Sequence, residues 1–249
     1  MEFQNLTNEI NLAKEAAKKA GTLLINNKSE FNIRLNSNSK DTKLNADIES
    51  ENLIKAIITE KSIYPILAEE SGKSNDNLGN TFWVIDPLDG TANFNRNIPL
   101  CCVSIGLVND MKPILGVIYD FNNDDMYVGD SCSKKSLMND QIIEVSNVSN
   151  KEDGVLITGL PHDSDYSLSS LSRMIDDMQK WQKIRMMGSA AMAACYVASG
   201  KVDQYQEKGI YLWDVIAGAA IVEFSGGTAE ISNQRENFQV DVVFSNSKL

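Results

Sequence analysis

The chain has 249 residues, 43% of them hydrophobic, which is enough to bury a core as one large domain or two closely packed ones and excludes a disordered chain. Its 23 Lys+Arg stand against 34 Asp+Glu, a net charge of −11 with no basic cluster, which argues against a nucleic-acid partner because phosphate backbones are bound through excess positive charge. An anionic substrate would have to be attracted by something other than the protein's own charge, and a bound metal is the obvious means.

In chain order, "EINLAKEAAKKAG" is charged throughout and unlike a signal peptide. Leu6, Ile10, Ala13, Ala17, Ala20 and Leu24 recur every three or four residues and predict an amphipathic helix. The polar stretch "NKSEFNIRLNSNSKDTKLN" reads as a loop or short hairpin. A second helix follows over "NADIESENLIKAIITEKS", with Asn45 or Asp47 as its cap and Ile54, Ile57 and Ile58 facing inward. Strand-like runs come next: "IYPILAEE", "TFWVID", "PLCCVSIGLV", "MKPILGVIYD" and "DDMYVGD". Cys101, Cys102, Cys132 and Cys195 show no C-x-x-C spacing and read as reduced thiols of a cytoplasmic protein. After the polar "SNVSNKEDG" the pattern alternates: strand "GVLITG", helix around "LSSLSRMIDDMQKW", strand "KIRMM", helix "SAAMAACYVASG", and a helix from "WDVIAGAAIVEF" to Gly226-Gly227. We therefore expect an α+β unit over 1–150 and an α/β unit over 151–249, with mixed sheets. No apolar run approaches the ~20 residues that span a bilayer, so no membrane partner is expected.

Several familiar chemistries are absent, since there is no P-loop, dinucleotide fingerprint, H-E-x-x-H or G-x-S-x-G motif. His162, the one histidine, follows Pro161 without a nucleophile motif and reads as a surface loop residue. What remains is carboxylate. Asp86 ends "TFWVID" and Pro87 cannot extend a ladder, so a turn is expected to present Asp86, Asp89 and the Leu88 carbonyl together. Those are hard oxygen donors suited to Mg²⁺ or Mn²⁺, and a helix opening at "TANF" would add the N–H groups of Gly90 and Thr91 as an anion site. Asp-Pro and Asp-Gly are also ordinary turn dipeptides, so this stretch alone is ambiguous. Glu69 and Glu70 end another strand, Asp214 opens an apolar helix where an N-cap is the default, and Asp41 and Asp47 could be caps or solvated.

Taken together, "AEES", "WVIDPLDGTANF", "GSAA" and "WDVIAGAAIVEFSGG" resemble the inositol monophosphatase-like, Mg²⁺-dependent, Li⁺-sensitive phosphatases over nearly the whole chain. The resemblance implies a layered α-β-α-β-α sandwich of the sugar phosphatase type. It implies that Glu69, Asp86 and the Leu88 carbonyl hold one metal, that Asp86, Asp89 and Asp214 hold a second, and that Glu69 helps to hold a third, weaker one. Thr91 would orient the attacking water with Asp47 as its partner, and Glu70 would support the ligands. Such a carboxylate cluster makes sense mainly when divalent cations neutralise it. Two metals about 3.5–4 Å apart can polarise a phosphoryl group, acidify a water and stabilise the leaving alkoxide.

On the substrate side, Gly188, Ser189 and Ala190 would let a ring approach, and Glu207 matches the family position that accepts hydrogen bonds from a polyol hydroxyl. "DTKLNAD" carries Leu44 and Asn45 where the family has Val and Thr, which bears on Asp41 more than on Asp47. The sequence also ends soon after "VVFSNSKL", short of a longer C-terminal helix, which should alter the edge of the second unit and not the metal site. The implied activity is hydrolysis of a small phosphate ester, with a homodimer left open as the assembly. A 3'(2'),5'-bisphosphate nucleotidase or fructose-1,6-bisphosphatase is the rival within the superfamily, although Ala92-Asn93 replaces the Lys-Glu pair that tends to follow D-G-T in the nucleotidases. An aspartyl-phosphate mechanism would need D-x-D-G-T rather than D-x-x-D-G-T. A metal-binding regulatory module is the non-enzymatic alternative.

Overall fold

The computed structural model describes residues 5–31, 34–38, 41–160 and 165–249, of which 34–38 and 41–43 are described by backbone only. The expectation for His162 lies outside the described residues, as does the side chain of Asp41.

The first helix, α1 (Thr7–Asn26), buries Leu12, Ala13, Ala16, Ala17, Ala20 and Leu24, and its small side chains let it lie close against α3 (Asn45–Lys61). Between them come the short α2 (Lys28–Phe31) and a hairpin of β1 (Arg34–Asn38) with β2 (Asp41–Leu44), so the polar stretch adopts the second of its two expected forms. The cap of α3 differs from expectation. Leu44 is the N-cap residue, and Asp47, at the third helical position, accepts the Leu44 N–H at 2.8 Å. A carboxylate there satisfies one of the donors that every helix start leaves open.

The larger sheet is formed by β3 (Ile66–Ala68), β4 (Gly72–Lys73), β5 (Thr81–Asp89), β6 (Cys102–Asn109), β7 (Lys112–Asp120), β8 (Asp125–Asp130), β9 (Lys135–Met138) and β10 (Gln141–Ile143). Its order is β10-β9-β8-β7-β6-β5-β3-β4, antiparallel except where β3 runs beside β5. The one-turn helix α4 (Thr91–Asn95) leaves the end of β5. Side-chain alternation along the strands separates two faces. Trp83, Ile85, Val103, Ile105 and Val117 pack under α1 and α3. Phe82, Val84, Ile118 and Tyr127 face the opposite way.

The smaller sheet takes β11 (Val155–Thr158), β12 (Lys183–Arg185), β13 (Gln204–Tyr211), β14 (Thr228–Ser232) and β15 (Gln239–Ser245) in the order β12-β11-β13-β15-β14, with parallel and antiparallel pairs. Helices α6 (Ala190–Ala198) and α7 (Leu212–Phe224) are sandwiched between the sheets, and α5 (Leu168–Met178) lies on the outer face of the smaller one. The result is the expected α-β-α-β-α layering with mixed sheets. Among the described residues no helix is long and apolar enough to cross a membrane.

A row of glycines seats α7. Gly106, Gly116 and Gly129 are directly paired across β6, β7 and β8. A Cβ on Gly116 would fall 2.0 Å from the Ala217 carbonyl oxygen, and one on Gly129 would fall 2.7 Å from Ile221 Cα. The helix backbone therefore rests in a trough that only glycine leaves open.

Candidate active site

The strand carrying "VIDPLD" does not stop at Asp86, which corrects the expected turn. β5 continues to Asp89 through a β-bulge: Asp86 pairs with Ser104 and Asp89 with Cys102, so three steps on one strand match two on the other. In a regular strand residues three apart point to opposite faces; one extra residue reverses the parity. Leu88 accordingly joins the core under α1 and α3, while Asp86 and Asp89 both turn toward the middle helical layer. The bulge is tied down by Leu88 N–H to Asp86 Oδ1 at 2.9 Å and by Ser50 Oγ donating to the Pro87 carbonyl at 2.8 Å.

Four carboxylates converge here from the larger sheet and from α7. Glu69 is the residue after β3, with its N–H on the Ile85 carbonyl at 3.1 Å, and its charge bears on Asp86. Asp214 is not the N-cap of α7. It occupies the third helical position and accepts the N–H of the cap residue Tyr211 at 3.1 Å, the same device that holds Asp47 on α3. Asp89 takes Ser189 Oγ–H and the Ala191 N–H at 2.7 Å, so α6 aims its first turn at this carboxylate. Burial, and then the charges of Glu69, Asp89 and Asp214, push the Asp86 carboxyl well above the usual range. Burial likewise raises Asp214, reinforced by Glu69 and Asp89. In Asp89 burial outweighs the hydrogen bonds from Ser189, Ala191, Ala190 and Cys102, and its carboxyl is also raised.

The donor set, carboxylates beside the Leu88 carbonyl, has the hard oxygen chemistry of a Mg²⁺ or Mn²⁺ site, and a cation would relieve the repulsion that lifts these carboxyls. Among the described residues no three His, Cys, Asp or Glu side chains already stand in the geometry of a closed cation cage. Glu69, Asp89 and Asp214 instead stand close enough to Asp86 for their charges to lift its carboxyl. The chemistry of the donors fits the metal.

Thr91 stands beside this cluster, its one hydroxyl proton between Asp47 Oδ1 at 2.8 Å and the Leu88 carbonyl at 3.0 Å. Gly90 is the cap of α4 with φ +85°, and a Cβ there would lie 2.7 Å from the Leu100 carbonyl. The Glu70 backbone N–H donates to Glu51 Oε2 on α3 at 2.8 Å. Gly188, at φ +69°, precedes α6, and Asn93 Nδ2 ties it down by donating to the Met187 carbonyl at 2.7 Å and the Leu100 carbonyl at 2.8 Å. Ser189, read from sequence as a small residue for ring approach, spends its hydroxyl on Asp89 and on accepting the Met192 N–H at 3.2 Å. Ala190 is buried as the first residue of α6.

Glu207 sits on β13 with its carboxylate against Gly159 and accepting Tyr205 O–H at 2.9 Å. Burial pushes its carboxyl up to about 7, against the lowering effect of Tyr205. It opens on a cavity of about 560 Å³ that runs between α5 and the smaller sheet.

Sequence reasoning passed over Ser50, Glu51, Asn93 and Tyr205. Ser50 and Glu51 had left a signal: with Asp47 and Ile54 they form one buried stripe at helical spacing, polar at the end that supports the carboxylate site.

Comparison with known proteins agrees with this fold. Residues 5–245 match the model of the inositol monophosphatase family. The Nus factor SuhB of Pasteurella multocida is 34% identical over 225 residues, covering 88% of this chain and 83% of that protein. Inositol monophosphatase 1 of Bos taurus is 35% identical over 211 residues, covering 80% and 74%. The solved structure of an inositol monophosphatase from Anabaena superposes with a TM-score of 0.81 at 32% identity, covering 98% of this chain and 92% of that one.

Proposed function

Since the chain belongs to the inositol monophosphatase family and is thereby a phosphoric monoester hydrolase acting on small phosphate esters, we propose that its substrate is a polyol or sugar phosphate such as inositol 1-phosphate, with Mg²⁺ as cofactor. The observation that carries this is the convergence of Glu69, Asp86, Asp89 and Asp214 from the larger sheet and α7 into one site, each of the three aspartates held above its ordinary pKa. Buried like charges cost stability unless something binds them. Bound there, two or three divalent ions would polarise the phosphoryl group, acidify the attacking water and stabilise the leaving alkoxide.

In this reading Glu69, Asp86, Asp89, Asp214 and the Leu88 carbonyl are the ligands. The Thr91 oxygen, with its proton committed to Asp47 and Leu88, is left to accept a hydrogen bond from the water and so orient it. Asp47 is the next acceptor along that line. Gly90 lets the main chain approach the phosphate where a side chain would collide with Leu100. Glu207, oriented by Tyr205, would accept hydroxyls of the leaving group, with Gly188, Ser189 and Ala190 forming the wall beside it. The unit over 1–150 supplies all ligands but Asp214; the unit over 151–249 supplies Asp214 and the substrate wall. Li⁺ sensitivity and cytoplasmic residence belong to the same proposal.

The test is turnover of inositol 1-phosphate, fructose 1,6-bisphosphate, histidinol phosphate and adenosine 3',5'-bisphosphate, with and without Mg²⁺. Mg²⁺-dependent hydrolysis that favours the polyol phosphate, lost in Asp89→Asn, is expected. A preference for the bisphosphate nucleotide, or full activity of D89N, would refute the reading.

A further inference from the structure

The hairpin between β14 and β15 ends in Phe238 at φ +67°, the left-handed region, where a bulky residue is rare and is held only by strong surrounding contacts. Those contacts are present and they point at α7. The Phe238 carbonyl accepts the N–H of Leu212, the first residue of α7, at 3.0 Å. The Phe238 ring lies 6.2 Å from that of Trp213, which stacks on Tyr211 at 4.7 Å and 5°. The Trp213 indole N–H is buried without a hydrogen-bond acceptor, so packing rather than a hydrogen bond holds the ring. From the other side, Lys73 Nζ stands 5.3 Å from the centre of the Phe238 ring.

The two ends of this column belong to different elements, β4 of the larger sheet and the first turn of α7. Lys73, on β4, pairs with Leu67 two residues before Glu69, and β3 and β4 are joined through the turn that contains Glu69 and Glu70. Trp213 immediately precedes Asp214. Glu69 and Asp214 therefore come from separate elements, the β3–β4 turn and the first turn of α7, and the Lys73–Phe238–Trp213 column bridges them.

We propose that Lys73, Phe238 and Trp213 form a latch that holds the β3–β4 turn against the first turn of α7 and so sets the separation of Glu69 and Asp214 for divalent cation binding. This rests on the cation reading of the proposed function. The three are positioning residues that touch neither metal nor substrate, and the strained Phe238 is the piece that joins the two halves. Removing the Lys73 charge loosens one end; removing the Phe238 ring severs both.

Calorimetric titration of Mg²⁺ into the metal-free full-length protein tests this with wild type, Lys73→Met, Lys73→Arg, Phe238→Leu and the K73M/F238L double variant. K73M keeps the aliphatic stem and F238L a bulky apolar side chain, so both are expected to fold. The Kd should rise about threefold in K73M and about tenfold in F238L, as loss of a partly exposed cation–π contact and of the bridging ring would give. K73R should match wild type, and the double variant should bind no more weakly than F238L alone. At saturating Mg²⁺, kcat should stay within about twofold, because geometry once filled is held by the ion itself. Wild-type Kd in both single variants, or fully additive effects in the double variant, overturns the latch. If the wild type shows no saturable Mg²⁺ binding, the proposed function falls and the latch falls with it.

Discussion

Gly116→Ala puts a single methyl group where the chain least tolerates one. The new Cβ would stand 2.0 Å from the carbonyl oxygen of Ala217, 2.8 Å from its carbonyl carbon and 3.0 Å from its Cα. A carbon–oxygen contact relaxes at about 3.3 Å, so helix and strand must separate locally by roughly 1 Å, and both surfaces are backbone in a close-packed core. Overpacking of this kind costs about 1–3 kcal/mol, and with no side chain free to turn aside the upper value applies. For a protein of this length, that corresponds to a fall in Tm of about 6–12 °C. The second consequence is catalytic. Ala217 lies less than one helical turn beyond Asp214, so the displacement reaches the site, and a misplacement of about 1 Å can cost on the order of 10² in rate. Gly129→Ala is the control: its Cβ would meet Ile221 Cα at 2.7 Å, two turns from Asp214, with a comparable loss of stability. Thermal melts of the metal-free proteins, with phosphate release assayed well below both midpoints, separate the two effects. A G116A protein within 2 °C of wild type, or one no less active than G129A, would refute the argument that the glycine trough positions Asp214.

Burial pushes Glu207 up to about 7 from an ordinary 4.5, so folding takes up a proton there. The stabilisation is complete below pH 4.5 and is lost as pH rises through 7; it amounts to about 2 kcal/mol after allowing for partial solvent access. Tm measured from pH 5 to 8 should therefore fall less steeply in Glu207→Gln than in wild type, and parallel curves would contradict the burial of this carboxyl. In the metal-free protein Asp86→Asn should raise Tm by removing a buried repelling charge, and should shrink the stabilisation that Mg²⁺ confers on wild type; a lower Tm would mean that the cluster is not self-repelling. Thr91→Val keeps the shape and deletes the hydroxyl, so kcat should drop about 10²-fold with Kd for Mg²⁺ unchanged, whereas a selective change in Mg²⁺ binding would move Thr91 from water orientation to ligand support.

What could be read from the chain before the fold was known follows from where the physics is local. Helical periodicity in α1, α3 and α7 and the continuous apolar runs of β5, β6 and β7 are properties of neighbouring residues, and they delivered the layers. The strands that escaped reading, β9, β10, β13, β14 and β15, are short, polar on one side or interrupted, and exist because a partner strand supplies their hydrogen bonds. The same division runs through the site. Asp86, Asp89 and Asp214 stood out because Pro, Gly and Trp mark their surroundings. Yet their geometry depends on a bulge, since three residues on β5 span two on β6, and nothing in "IDPLDG" alone states that.

The capping contacts carry that lesson further. Asp47 and Asp214 each looked like an N-cap, and each instead sits at the third helical position and accepts the N–H of the cap residue. That contact occupies one carboxylate oxygen, fixes the rotamer and leaves the other oxygen for the site: Asp47 Oδ1 already takes Thr91, while Asp47 Oδ2 holds the helix. A cap residue would have spent its side chain on the helix and pointed along the axis. At the third position the helix gains its satisfied donor and the site gains a carboxylate anchored at one end. Asp89 obtains the same rigidity in reverse, anchored by the N–H groups of α6 rather than on its own strand. Two of the four converging carboxylates, Asp89 and Asp214, are therefore held by helix starts, as is Asp47 beside them, and those N–H groups offset part of the repulsion within the cluster.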